Sequence, residues 1–148
     1  MRTWKRISIR CYTVSLLVDT GVILAALARR EKRHSWTKRL MVDILAGRYG
    51  VPFVTDYIVD EVLSYAAARL TPEDARKLLD LLVHRQVFRI IPLTLDVFNR
   101  AVKLYEQALP RLSFTDATAV VAAKLYDVDY IATMDERLAD MHPSLYPQ

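Results

Sequence analysis

Three aspartates stand at positions from which their carboxylates could act together. Asp19 follows directly on an apolar run at 14–18, and Asp135 lies two residues after a second run at 130–133. Asp116 lies in the first turn of a predicted helix. Carboxylates that converge repel one another, so such a cluster persists if they take up protons, pair with cations or bind metal. Oxygen ligands without His or Cys favour Mg²⁺ or Mn²⁺ over zinc, and a metal-bound water suits phosphodiester hydrolysis.

Each carboxylate taken alone has a plainer interpretation. An aspartate at a helix start is usually a cap or a partner of the helix dipole. Glu61 lies inside a predicted helix at 56–68, where a glutamate usually faces solvent. The three aspartates together favour a functional cluster over these plainer interpretations, because all three are predicted to project from one end of the same sheet.

Predicted strands and helices alternate along the chain, and these elements must position the acidic residues. Short apolar strands are predicted at 14–18, 53–55, 87–91 and 130–133, and helices at 22–29, 35–46, 56–68, 71–84, 94–109, 113–126 and from 135. No Asn-Gly turn joins neighbouring strands, so crossover connections are expected, and the apolar runs 14–18 and 87–91 favour strands buried on both faces. The fold class is therefore α/β, with a short central parallel sheet of about four to five strands. Sites in such folds lie beyond the carboxyl ends of the strands, where the three aspartates fall.

The amino-acid composition excludes several classes of protein and of binding site. The chain has 148 residues, 53% of them hydrophobic, which excludes intrinsic disorder. One cysteine and three glycines leave no disulfide, no Cys/His zinc cluster and no Gly-rich phosphate loop. Asp19 interrupts the apolar stretch near the start, so neither a membrane span nor a cleaved leader is expected, and we expect a cytoplasmic protein. Residues 1–12 are predicted to be an extension before one domain at 13–148.

Basic residues concentrate in the first quarter of the chain. Residues 1–39 hold ten Lys and Arg against two acidic residues, although the whole chain carries only +4. This asymmetry indicates a polyanionic partner, and a solvated basic face is the plainer alternative. The candidate RNA-binding residues are Arg29, Arg30, Lys32, Arg33, Lys38 and Arg39.

Four stretches of the sequence carry a family resemblance. Residues 16–22 (LLVDTGV), 59–63 (VDEVL), 112–117 (LSFTDA) and 131–135 (IATMD) resemble the four acidic motifs of PIN-domain nucleases. The match is closest to the short single-domain toxins of the VapBC type, and it covers about residues 13–140. It is this resemblance, and not the spacing, that places Glu61 with the three aspartates.

The resemblance implies a three-layer α/β/α PIN-like fold and a metal-dependent endoribonuclease. Asp19, Glu61, Asp116 and Asp135 would hold one or two Mg²⁺ or Mn²⁺ ions. Supporting hydroxyls would come from Thr115 and Thr133 and, as a weaker candidate, Thr20. Gly21 departs from the family, which often has serine there, and this puts one supporting hydrogen bond in doubt.

The resemblance also implies partners and products. RNA would be cut to leave 5′-phosphate and 3′-hydroxyl ends. A small cognate antitoxin would cover the acidic site with its tail, and the chain would form a homodimer.

Two other functions remain open on the sequence. A phosphatase of the haloacid-dehalogenase type also has an aspartate after its first strand. Such enzymes need a second aspartate two residues later, where this chain has Gly21. A non-catalytic RNA-binding or complex-forming module would agree with the basic start of the chain, and it predicts binding without metal-dependent turnover.

Overall fold

The strands form one five-stranded parallel sheet in the order β3-β2-β1-β4-β5. A computed structural model describes residues 14–27 and 34–147, so the predicted extension at 1–12 lies outside the described residues. The strands are β1 (Leu16–Val18), β2 (Phe53–Thr55), β3 (Arg89–Ile91), β4 (Tyr130–Ala132) and β5 (Ser144–Leu145). Because all the strands are parallel, their carboxyl ends meet at one edge of the sheet.

Seven α-helices connect and cover the strands in the described part of the chain. They are α1 (Thr20–Leu27), α2 (His34–Leu45), α3 (Asp56–Arg69), α4 (Pro72–Leu79), α5 (Leu95–Ala108), α6 (Phe114–Leu125) and α7 (Glu136–Ala139). Hydroxyl side chains cap the starts of four of them: Thr55, Thr71, Thr94 and Ser113 each accept a hydrogen bond from the backbone N–H three residues later. These caps fix where the helices begin, because each one satisfies an N–H that has no partner within the helix.

The core explains why this sequence makes a covered sheet. Leu16, Leu17 and Val18 of β1 are fully buried, which requires packing on both faces of the central strand. Helix α6 is buried from Ala117 through Ala123, a run of small and β-branched side chains that lets the helix pack closely. The predicted α/β fold with its short parallel sheet is confirmed.

Three details of the predicted elements need correction. The run at 87–91 was expected to be buried on both faces, but β3 is an edge strand in which Arg89 and Ile90 are exposed. Strand β5 was not predicted, because two residues after Pro143 carry no strand pattern. The helix expected at 71–84 ends as an α-helix at Leu79 and continues as a wider π-helical turn, Asp80–His84.

Among the described residues, no helix has the length and apolar character needed to cross a membrane.

Candidate active site

An acidic cleft opens at the carboxyl ends of β1 and β4. It has a volume of about 660 Å³. The connections that leave these two strands supply most of its wall, and α3 and α6 supply the rest. The lining residues are Asp19, Thr20, Gly21, Glu61, Asp116, Met134, Asp135, Glu136, Arg137 and Tyr146. The structure therefore brings Glu61 and the three predicted aspartates to one cavity.

Asp19 is the buried member of the acidic group. Its side chain is only 7% exposed, and its carboxylate accepts hydrogen bonds from the Thr20 backbone N–H (2.8 Å) and the Thr133 hydroxyl (2.9 Å). Burial raises the pKa of Asp19 to about 7, and the charges of Asp116 and Glu61 add to this rise. The two hydrogen bonds oppose the rise without cancelling it. Asp19 is thus a carboxyl group that loses its proton only near neutral pH, and a bound cation would favour that loss.

Thr133 links the two strand ends of the cleft. The fully buried Thr133 hydroxyl donates to Asp19 Oδ2 and accepts from the Asp135 backbone N–H at 3.0 Å. One side chain therefore fixes the carboxylate after β1 and the backbone after β4. These contacts are of the kind expected for the orienting role that the family resemblance implies for Thr133.

Asp135 caps the short helix α7 and also holds an arginine. Its Oδ1 accepts from the Arg137 backbone N–H (2.9 Å) and from Arg137 Nε (3.2 Å). Its Oδ2 accepts from a terminal nitrogen of the same guanidinium at 3.3 Å. Both oxygens of this predicted metal ligand are therefore occupied by a cation that belongs to the chain itself.

Asp116 and Glu61 complete the acidic wall. Asp116 is the third residue of α6, and its Oδ2 accepts from the Ser113 backbone N–H (3.1 Å) while the Ser113 hydroxyl accepts from the Asp116 N–H (3.1 Å). This reciprocal capping box holds the Asp116 carboxylate at the mouth of the cleft. Glu61 is exposed on α3 and faces the cleft from the opposite element.

The donor set fits a hard divalent cation by its chemistry. Five carboxylates (Asp19, Glu61, Asp116, Asp135 and Glu136) line the cleft against one guanidinium. The Thr20 hydroxyl oxygen is buried in the same wall with no hydrogen-bond partner among the described residues. Within that described part, no three His, Cys, Asp or Glu side chains already stand close enough to coordinate one ion. An ion held by three or more of these carboxylates would need the acid side chains to draw together, and Asp135 is engaged by Arg137.

The other predicted site residues do not line the acidic cleft or lie outside the described residues. Thr115 is half-buried and does not line the cleft, and its orienting role stays a prediction. Lys38 and Arg39 are exposed on α2, and Lys38 borders a separate apolar groove instead of the acidic cleft. The remaining basic candidates (Arg29, Arg30, Lys32 and Arg33) lie outside the described residues.

Sequence reasoning missed four residues of the cleft wall (Met134, Glu136, Arg137 and Tyr146) and left Gly21 in doubt. Arg137 could have been found, because a basic residue two positions after an N-capping aspartate can fold back onto it. Tyr146 could not, since it enters the wall through the unpredicted strand β5. Gly21 is open toward the cleft: an added Cβ would stand 3.6 Å from Met134 Cε, an ordinary contact, so the serine common in the family would fit.

Comparison with known proteins agrees with this architecture. The chain is 27% identical over 113 residues to a VapC ribonuclease of Archaeoglobus fulgidus, an alignment that covers 75% of this chain and 71% of the relative. It superposes with a TM-score of 0.68 on VapC20 of Mycobacterium tuberculosis, a toxin described as cleaving the sarcin–ricin loop, at 20% identity over 78% of this chain and 86% of the toxin. The VapBC2 structure of Rickettsia felis, bound to a promoter DNA fragment, gives a TM-score of 0.66 at 11% identity, covering 90% and 99% of the two chains.

The family assignment rests on the sequence itself. The model of the PIN domain matches residues 16–142, which span the sheet from β1 to the last turn before β5. All four acidic positions fall within this range. The chain belongs to the PIN-domain family.

Proposed function

We propose that this protein is a metal-dependent endoribonuclease that hydrolyses RNA phosphodiester bonds at the acidic cleft. The observation that carries the proposal is the concentration of carboxylates there, with Asp19 buried and its pKa raised to about 7. Perturbed carboxyl groups of this kind cluster at functional sites, and holding a divalent cation is the role that the chemistry of these oxygen ligands favours.

Asp19, Glu61, Asp116 and Asp135 are the proposed ligands of one or two Mg²⁺ or Mn²⁺ ions. A bound ion would acidify a coordinated water and stabilise the charge that develops on the phosphate. Thr133 fixes the Asp19 carboxylate through its hydroxyl, and the capping box fixes Asp116. Asp19 must lose its proton before it can bind a cation, so the site should be most competent above about pH 7.

RNA is the proposed substrate because two similar proteins are described as acting on RNA. The Archaeoglobus relative is named a ribonuclease, and the mycobacterial toxin is described as cleaving an RNA loop. In this chain the exposed Lys38 and Arg39 could contact phosphates, together with the basic residues at 29–33. We propose cleavage to 5′-phosphate and 3′-hydroxyl ends, as the family resemblance implies.

The test is a cleavage assay with 5′-labelled RNA. Purified protein is incubated at pH 8 with Mg²⁺, with Mn²⁺, or with EDTA, and EDTA-treated protein is then given back metal. We expect cleavage with either ion, none with EDTA, and recovery on readdition. Binding of RNA without cleavage under all of these conditions would instead favour the non-catalytic module, and cleavage that continues in EDTA would refute metal dependence.

We further propose that the protein is a VapC-type toxin with a small antitoxin as partner. An apolar groove between α1, α2 and α4 supports this: Leu27, Val42 and Leu45 there are 41–58% exposed. Lys38, Lys77 and Arg85 border the groove, so an amphipathic antitoxin helix with acidic flanks would fit it. The antitoxin would come from an adjoining reading frame and co-purify with wild type, whereas Val42→Glu would lose it and still cleave RNA. Co-purification unaffected by Val42→Glu would rule out the groove.

The homodimer and the cytoplasmic location are proposals that rest on the family resemblance and the composition. Sedimentation of the purified protein tests the first. A mass of one chain at micromolar concentration would contradict it.

A further inference from the structure

Arg137 is the one cation among the described residues that line the acidic cleft. An RNA strand that enters a wall of five carboxylates meets strong repulsion of its phosphates. Bound metal offsets part of that repulsion. A guanidinium can offset more of it, because its two parallel N–H groups form a fork that binds two phosphate oxygens at once. Arg137 therefore stands where a phosphate contact is most needed.

The same guanidinium is bound to Asp135 by both prongs of its fork. Nε lies 3.2 Å from Oδ1 and a terminal nitrogen lies 3.3 Å from Oδ2. A divalent ion on Asp135 needs lone pairs of these same two oxygens. The ion and the guanidinium fork therefore compete for one carboxylate, while the Arg137 backbone N–H can keep its own bond to Oδ1.

Arg137 can leave Asp135 without disturbing the fold. Its side chain is 60% exposed, against 28% for Asp135. Arg137 and Asp116 line the same cleft, so the guanidinium borders the space that a substrate phosphate would enter.

We propose that Arg137 is a substrate-binding residue that contacts an RNA phosphate, and that Asp135 holds it until a divalent ion takes up that carboxylate. The inference rests on the proposed ribonuclease function for the identity of the ligand. Metal binding then has two effects at the cleft: it adds an ion, and it frees a cation for the RNA backbone. The cleft would thereby bind substrate more strongly once metal is loaded.

The first measurement is Mn²⁺ affinity by electron paramagnetic resonance of the free ion, which requires no cleavage. Arg137→Gln removes the competing fork, so we expect Mn²⁺ to bind about two- to fivefold more tightly than to wild type. Arg137→Lys keeps a charge but not the fork and should fall between the two. Arg100→Gln is the matched control, because Arg100 makes a similar exposed pair with Asp96 at 3.0 Å but does not line the cleft. Unchanged or weaker Mn²⁺ binding by Arg137→Gln would overturn the competition.

The second measurement is RNA binding by fluorescence anisotropy at several salt concentrations, in EDTA and in Ca²⁺, with the RNA checked for integrity on a gel. In Ca²⁺, Arg137→Gln should bind more weakly, with a salt slope smaller by about 0.7, the value for one phosphate contact on a single strand. In EDTA the variant and wild type should have equal slopes, because Asp135 then holds the guanidinium. Equal slopes in Ca²⁺ would refute the phosphate contact. Should wild type show no RNA cleavage at all, the ribonuclease proposal fails while both measurements still decide the role of Arg137.

Discussion

The buried carboxyl group of Asp19 makes a quantitative prediction about stability. In the folded protein its pKa is about 7, whereas its ordinary value is 3.8. The folded state therefore binds this proton more tightly than the unfolded chain does. Wild-type protein without metal loses stability as the pH rises from about 4 to about 7, and the full cost at pH 8 is about 4 kcal/mol.

Asp19→Asn removes this titration and keeps the shape of the side chain. The variant loses good hydrogen-bond geometry to the Thr133 hydroxyl, at a cost of about 1 kcal/mol that does not depend on pH. The stability difference between variant and wild type should therefore grow by about 2–3 kcal/mol from pH 5 to pH 8, in favour of the variant. For a chain of this length that difference corresponds to about 4–10 °C in melting temperature.

The assay is thermal unfolding in EDTA, followed by circular dichroism at pH 5, 6.5 and 8. Asp60→Asn serves as the control, because Asp60 is exposed and its contact is the Ser64 hydroxyl on the same helix. The melting temperature of Asp19→Asn should rise relative to that of wild type as the pH increases. If the difference between the two melting temperatures stays constant, or shifts in favour of wild type, burial does not raise this pKa. Adding Mn²⁺ at pH 8 should raise the melting temperature of wild type more than that of Asp19→Asn, because the variant lacks one of the four proposed ligands and its charge.

Three further substitutions test separate parts of the site. Asp116→Asn should lower RNA cleavage at least about 100-fold, yet its melting temperature should not fall below that of wild type, because the amide oxygen can still accept from the Ser113 N–H and the repulsion on Asp19 is relieved. Ser113→Ala removes the cap of α6 and should cost about 1 kcal/mol, or about 2–4 °C in melting temperature; an unchanged melting temperature would contradict the cap. Thr133→Val deletes a hydrogen bond that lowers the pKa of Asp19, so the pH of half-maximal cleavage should move upward; a downward movement would contradict it.

The elements that could be predicted from the sequence are those whose signals are local. Hydroxyl residues such as Thr71 and Ser113 mark helix starts correctly, because a cap depends only on the next three residues. The β-prone run ending at Val18 identifies the central strand for a similar reason: its apolar side chains must be buried on both faces. The same kind of local signal places Asp19 and Asp116 at the boundaries of elements.

The features that the sequence did not reveal depend on contacts between distant segments. Strand β5 exists because residues 144–145 pair with β4, and their own sequence has no strand pattern. The exposure of β3 follows from its place at the sheet edge, which strand composition does not encode. The raised pKa of Asp19 comes first from its burial and then from the charges of Asp116 and Glu61, which arrive on other helices. The part of the site that was missed is therefore the part that tertiary packing assembles.

The acidic cleft, and no other surface, is the proposed place where a divalent ion helps to cleave RNA. Glu61 offers a sharp test of this proposal, because its neighbour Asp60 provides a matched carboxylate on the same helix that does not line the cleft. The measurement is the initial rate of RNA cleavage in Mn²⁺ at pH 8 for Glu61→Gln and Asp60→Asn. We expect Glu61→Gln to lose at least about tenfold in rate and Asp60→Asn to cleave as fast as wild type. Equal rates for Glu61→Gln and wild type would contradict the proposal.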